Sequence, residues 1–224
     1  MIDPAALRRM VGRTLRRSLA RCPEVRVSMQ IGWGKLVRAL RYLKPWPKPL
    51  RLHLGCGSVH IPGMLNVDGL PAPHVDLVRA VDDLSPFSAE SAVLIYASHV
   101  LEHFPHHRVQ SIIREWCRVL QPGGILRLAV PDFDALLRVY HAEGDRLDWI
   151  MGPLMGGQDY RFNFHQCHFN RSLLTYMLLT NGFREVRDWQ PGQDQFTTDK
   201  DWSARPFLVE GRSYQVSLNL EAVK

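Results

Sequence analysis

The sequence predicts an α/β fold: a mostly parallel, seven-stranded sheet with helices on both faces, preceded by a basic helical arm. Two observations carry the prediction. From residue 50 onward, short apolar runs alternate with longer amphipathic segments, the pattern of strands joined by crossover helices. The first run, Arg51-Leu52-His53-Leu54, also ends in the turn Gly55-Cys56-Gly57, and the second ends in the acid of Asn66-Val67-Asp68.

Taken in order, the chain opens with an arm. Residues 1 to 51 hold thirteen Lys or Arg against Asp3 and Glu24, a balance of +11 that leaves −5 for the remainder of a chain with net charge +6. Leu7, Met10, Val11, Leu15 and Leu19 recur at three- and four-residue spacing, with Arg8, Arg9, Arg13, Arg16 and Arg17 between them. That is a basic amphipathic helix, suited to an anionic membrane surface or to packing against its own domain or a protein partner through residues 1–44. A second apolar-basic segment runs from Trp33 to Leu43, and the three prolines of Lys44-Pro45-Trp46-Pro47-Lys48-Pro49 form a stiff linker. The expected division is an arm and linker at 1–49 and a single domain at 50–224. In the domain, strands are expected near 51–54, 64–68, 75–79, 92–97 and 124–130, with helices near 105–120, 132–142 and 171–181. Trp116, Val119 and Leu120 fall in the core. Phe183 to Trp189 and Tyr214 to Leu220 supply two last strands as an antiparallel pair. Only eleven positions separate Gly57 from Asp68, and they include Ile61-Pro62-Gly63, so a loop or single turn replaces a helix there.

Composition narrows the class. No run of about eighteen apolar residues exists, so no membrane-spanning helix is expected, and the basic start lacks the apolar block of a secretory signal. A cytoplasmic protein is expected, with the arm as a peripheral contact to the inner membrane face. Cys22, Cys56, Cys117 and Cys167 are scattered, without a C-x-x-C pair, which argues for free thiols rather than disulfides or a zinc ribbon. Aromatic residues are sparse among the arm's first arginines and no nucleic-acid module is present, which disfavours nucleic acid as a partner.

The turn carries the chemistry. Gly55 and Gly57 remove side chains where the backbone must turn sharply and approach a ligand, and Asp68 at the carboxyl edge of the next strand is placed to accept bonds from two ribose hydroxyls. A dinucleotide site would need a third glycine opening a helix, but Gly57 is followed by Ser58-Val59-His60. The pattern favours a nucleoside without pyrophosphate, of which S-adenosylmethionine is the example. Downstream lie Ser98-His99-Val100-Leu101-Glu102-His103 and Arg118-Val119-Leu120-Gln121-Pro122-Gly123-Gly124. With these motifs in this order, residues 50–189 resemble class I (Rossmann-like) S-adenosylmethionine-dependent methyltransferases. Pro62-Gly63-Met64-Leu65-Asn66-Val67-Asp68, the Leu-Glu-His segment and Val130-Pro131-Asp132-Phe133 are most similar to small bacterial methyltransferase-domain proteins found with polysaccharide and glycosyl-transfer enzymes.

The resemblance implies specific roles. Gly55, Cys56 and Gly57 would contact the methionine portion of S-adenosylmethionine and its product S-adenosylhomocysteine, Asp68 the ribose, and Ser98 with His99 the sulfonium side. Asp82 or Asp83, with Leu84, would lie near adenine, the register being ambiguous. His53 stands where many such enzymes carry an acid beneath the methionine ammonium, so that amino group must find another carboxylate or backbone carbonyls. A hydroxyl acceptor needs a base, and histidine suits neutral pH. His103, on the rim after the fourth strand, and His165, in the inserted segment 156–168 that forms an acceptor lid in such enzymes, are the candidates. The bland alternative for His103 is a capping role paired with Glu102. His165, His168 and His106 or His107 could together form a metal site, but loop histidines are more often solvated, and no metal is expected. Three function classes follow: methylation of a small-molecule or glycan hydroxyl on a polysaccharide or lipid-linked sugar, methylation of nucleic acid or protein, and a non-catalytic nucleoside-binding partner. Nucleobase amino-methylation is disfavoured, because Ser98-His99-Val100-Leu101 stands where that chemistry uses Asn/Asp-Pro-Pro-Tyr/Phe.

Overall fold

The computed structural model describes residues 46–224, so the expectations for the arm lie outside the described residues. The sheet strands β1 (Leu50–Leu54), β2 (Leu65–Asp68), β3 (Leu77–Val78), β4 (Ala92–Ser98), β5 (Leu120–Pro131), β6 (Glu185–Asp188) and β9 (Ser217–Val223) form a seven-stranded sheet in the order β3-β2-β1-β4-β5-β9-β6. The first five strands pair in parallel, and β9 is antiparallel to both β5 and β6. The predicted α/β class and the closing antiparallel pair are therefore both present.

Helices α1 (His106–Val119), α2 (Phe133–Ala142) and α4 (Arg171–Thr180) lie where the sequence placed them. In α1, Val109, Ile112, Ile113, Trp116 and Val119 repeat at helical spacing and are buried, each removing apolar area worth about 1.5–3 kcal/mol. The Trp116 indole N–H donates to the Val81 carbonyl at 2.9 Å, which ties the loop after β3 to the helix. Asp132 caps α2 by accepting from the Asp134 amide at 3.2 Å, and Asn170 caps α4 by accepting from Leu173 at 3.1 Å.

Four features depart from expectation. A further helix, α3 (Leu147–Met155), precedes the inserted segment, and a small hairpin pairs β7 (Phe207–Val209) with β8 (Arg212–Tyr214). The third strand is two residues rather than five, and the fifth begins at Leu120, directly after α1. Between β1 and β2 there is no helix, as the spacing of Gly57 and Asp68 requires.

Strand order fixes the site. From β1 the chain moves outward to β2 and β3, then returns to β4 on the other side, so the carboxyl ends of β1 and β4 flank the point where the order reverses. Ligands in open α/β sheets bind at that crevice. On the opposite flank the sheet is cross-linked: buried Glu221 on β9 accepts from Arg127 Nε on β5 at 2.5 Å and from Arg187 Nη2 on β6 at 2.6 Å.

Candidate active site

A cavity of about 610 Å³ opens at the ends of β1 and β4, bordered by His53, Gly55, Cys56, Gly57, Ser98, His99, His103 and His165. Gly55 and Gly57 both adopt left-handed φ, +63° and +52°. A Cβ on Gly55 would lie 2.4 Å from Val100 Cγ2, whereas one on Gly57 would meet nothing within 4 Å. The first glycine thus permits packing under the turn, and the second leaves space for a ligand. Ser98 Oγ is buried in the same wall and has no hydrogen-bond partner among the described residues. An open glycine position beside an unpartnered hydroxyl fits a polar small molecule such as a nucleoside.

Asp68, at the end of β2, does not itself border the cavity; its Oδ2 accepts from the amide of Gly57, which does, and its Oδ1 from the Leu70 amide, both at 2.8 Å. The predicted adenine-side residues do not border the cavity. Asp82 accepts from Arg108 at 2.7 Å, Asp83 is bound to Arg79 and Ser85, and Leu84 is fully buried with its amide donating to Glu115 at 3.1 Å. Burial pushes the Cys56 thiol up to about 12, assisted by the charge of Asp68, which favours the protonated thiol.

His53 is buried, and its Nδ1 lies 3.1 Å from the Asn66 side-chain oxygen. Burial lowers its pKa to about 4 against the opposing pull of that bond and of Asp201 and Asp68. The imidazole is therefore neutral, and the carboxylate in this part of the cavity comes from Asp201. Asp201 accepts from the Tyr96 hydroxyl at 2.6 Å, from the Ser203 amide at 2.9 Å and from the Ser203 hydroxyl at 2.6 Å. The sequence reading missed Asp201, as it did Lys200, Trp202 and Arg205 at the same mouth.

The inserted segment closes the other side. The His165 amide donates to Met155 O at 3.0 Å and the Gln166 amide to Glu102 O at 2.8 Å, while the Gln166 side chain donates to His103 O at 2.6 Å. The first bond ties residue 165 to the end of α3 and the other two tie residue 166 to the 3-10 turn Leu101–His103, and the His103 and His165 rings lie at a centroid distance of 4.9 Å. A Cβ on Gly69 would reach the Phe162 ring at 3.4 Å, so the segment also passes over the end of β2.

Beneath the two imidazoles lies Glu102, whose side chain is 1% exposed and whose oxygens lack an aligned hydrogen bond among the described residues. His99 Nδ1 is 3.3 Å from Glu102 Oε1, and His99 itself takes a left-handed φ of +53° at the end of β4. Burial opposes ionisation of Glu102, but His99, His103 and His165 outweigh it and hold the carboxyl below its usual range. Burial lowers the His165 pKa, against the attraction of Glu102. His165 Nδ1 donates to Pro153 O at 3.0 Å, which leaves Nε2 as its free lone pair. The other histidines considered for a metal lie elsewhere: His106 and His107 are exposed in the first turn of α1, and His168 packs beside Phe133.

Residues 61–128 match the family described as a methyltransferase domain. No curated protein matches the chain. Among solved structures, the chain is similar to an S-adenosylmethionine-dependent methyltransferase from Archaeoglobus fulgidus, at 12% identity over 87% of this chain and 94% of that one with a TM-score of 0.49. It is also similar to such enzymes from Methanosarcina mazei, at 16% identity over 83% and 96% with a TM-score of 0.49, and from Mesorhizobium loti, at 19% over 83% and 96% with a TM-score of 0.45.

Proposed function

We propose that this chain is an S-adenosylmethionine-dependent methyltransferase that methylates a hydroxyl group of a small molecule or glycan, a reading supported by the match of residues 61–128 to a methyltransferase domain. The carrying observation is the pair His103 and His165 set over a buried Glu102 beside the Gly55–Gly57 turn. S-adenosylmethionine supplies an electrophilic methyl group on a sulfonium. The residues that would hold it are Gly55 and Gly57 by backbone approach, Asp68 at the ribose, and Ser98 with His99 beside the sulfur. Asp201 offers the carboxylate for the methionine ammonium that the His53 position lacks. The adenine contact is assigned to the Asp82–Leu84 loop, with Asp82 and Asp83 both kept as candidates, since Asp82 is engaged with Arg108 and Asp83 with Arg79 and Ser85.

The acceptor side combines exposed aromatic faces at Tyr160 and Trp202 with polar groups at Asn163, Lys200 and Arg205. Such a mixture suits a polar molecule with apolar faces, as a sugar presents. His165 Nε2, neutral and partly exposed to the cavity, is suited to accept the hydroxyl proton, with Glu102 stabilising the resulting imidazolium. In this reading residues 50–224 form the catalytic domain and the basic arm, 1–49, holds the protein at an anionic membrane face. No described helix is long and apolar enough to cross a membrane.

Calorimetric titration with S-adenosylmethionine and S-adenosylhomocysteine, alongside Asp68→Ala, tests the donor site. Micromolar binding that is lost in the variant is expected. Sugar and lipid-linked acceptors are then screened with His103→Ala and His165→Ala, and turnover unchanged in both would remove the base assignment. Failure to bind either nucleoside would count against the enzyme reading, and binding without turnover of any acceptor would favour a non-catalytic nucleoside-binding partner.

A further inference from the structure

We propose that Glu102, His103 and His165 bind a divalent transition-metal ion, such as zinc, with its open coordination positions facing the cavity. The inference rests on the methyl-transfer reading only for the ion's task; the site itself stands on geometry. One donor atom from each of the three residues lies within 4.8 Å of the others. Ligands held at about 2.0–2.2 Å from a zinc ion sit roughly 3–4.4 Å apart, so modest side-chain rotation closes the remaining gap.

Three features separate this cluster from a chance meeting of histidines. The Glu102 carboxylate is buried, its oxygens have no aligned hydrogen bond among the described residues, and its Oε1 has His99 Nδ1 at 3.3 Å, so an ionised Glu102 relies on neighbouring imidazoles or on a bound cation for compensation. Both imidazoles also have Nδ1 turned to a backbone carbonyl, His165 to Pro153 at 3.0 Å and His103 to Phe164 at 3.3 Å. A carbonyl can only accept, so Nδ1 carries the proton in each ring and Nε2 keeps its lone pair. That is the tautomer and outer-shell anchoring that metal-bound histidines show. Finally, His103 and His165 both border the cavity, so a bound ion would be reachable by solvent and by an acceptor. Two imidazoles and one carboxylate suit zinc, iron or cobalt better than magnesium or calcium, which prefer all-oxygen shells. The set differs from the combination of His165, His168 and His106 or His107 weighed from sequence. With the ion in place both Nε2 lone pairs would be engaged, and the metal would instead lower the pKa of a hydroxyl bound to it, whose proton would leave to water in the cavity.

The experiment uses the full-length chain, freed of any purification tag and stripped with chelator. Equilibrium dialysis against zinc gives the stoichiometry, and the visible spectrum of the cobalt form reports imidazole ligation. One ion per chain is expected, with at least a ten-fold loss of affinity in His103→Ala, in His165→Ala and in Glu102→Gln. The two histidines are only partly buried, so their variants keep the test valid if Glu102→Gln fails to fold. No saturable binding, or binding of equal strength in both histidine variants, would overturn the proposal. S-adenosylmethionine binding, titrated on the same samples, separates the two readings. Its absence from a chain that binds one zinc through these residues would remove the donor assignment and leave the metal site standing.

Discussion

At the scale of single residues, the site is built from groups whose conformation or ionisation is forced by their surroundings. Gly55→Ala would place a methyl group against Val100 while keeping a left-handed φ, so a loss of about 2–4 kcal/mol is expected from overpacking and backbone strain together. Gly57→Ala meets no atom, so it should cost only about 1 kcal/mol of stability while weakening S-adenosylmethionine binding by projecting into the cavity. Thermal melts and calorimetry on the two variants separate these effects. Asp201→Asn removes a charge while keeping the shape, and a ten-fold or greater loss of S-adenosylmethionine affinity is expected if this carboxylate meets the methionine ammonium. His53 makes a pH prediction. Its pKa is 6.5 when unfolded and about 4 in the fold, so the folded chain resists protonation. His53 therefore leaves stability untouched above pH 6.5 and lowers it as pH falls from 6.5 towards 4, by up to about 3 kcal/mol. Melts of wild type and His53→Asn across pH 4.5–7.5 should show a flatter slope in the variant; equal slopes would exclude His53 as the source. The glycines and Asp68 were legible in the sequence because each directly follows or ends an apolar run, with only eleven positions between Gly57 and Asp68. Asp201 was not, because it enters from a segment with no periodic pattern and reaches the cavity only through bonds to Tyr96 and Ser203.

At the scale of elements, periodicity succeeded where one face of an element is buried and failed where composition interrupts it. Helix α1 was readable from its apolar spacing, whereas α3 contains Gly152 and Pro153, residues that ordinarily argue against a helix. The β7-β8 hairpin left a weaker signal: Glu210 and Gly211 follow the apolar run Phe207-Leu208-Val209, and both adopt positive φ, as a tight two-residue hairpin turn requires. The closing strands were legible as strands, but the ion triad that joins them was not, since Arg127, Arg187 and Glu221 meet only after β9 inserts between β5 and β6. Glu221→Ala would leave the buried Arg127 without its carboxylate, and a destabilisation of about 3–5 kcal/mol is expected by chemical denaturation. A loss below about 1 kcal/mol would mean that Gln195 O and Asp194, the other acceptors near Arg127, suffice.

At the scale of the whole molecule, the charge division in the sequence is the feature that bears on where the protein acts. Thirteen basic residues in the first 51 positions face a remainder of net charge −5, so the two parts would respond oppositely to an anionic surface. If the arm holds the enzyme at a membrane bearing its acceptor, attachment should combine apolar insertion with electrostatic attraction of about 1 kcal/mol per basic residue near the surface. Co-sedimentation of the full-length chain with vesicles containing anionic lipid is therefore expected at low salt and should weaken as the Debye length shrinks from about 10 Å at 0.1 M to about 3 Å at 1 M. Replacing Arg8, Arg9, Arg13, Arg16 and Arg17 with Gln should abolish the salt-sensitive fraction while leaving S-adenosylmethionine affinity unchanged. Equal recovery of both proteins with anionic and neutral vesicles would reject membrane attachment and turn the arm's apolar stripe toward a protein surface instead.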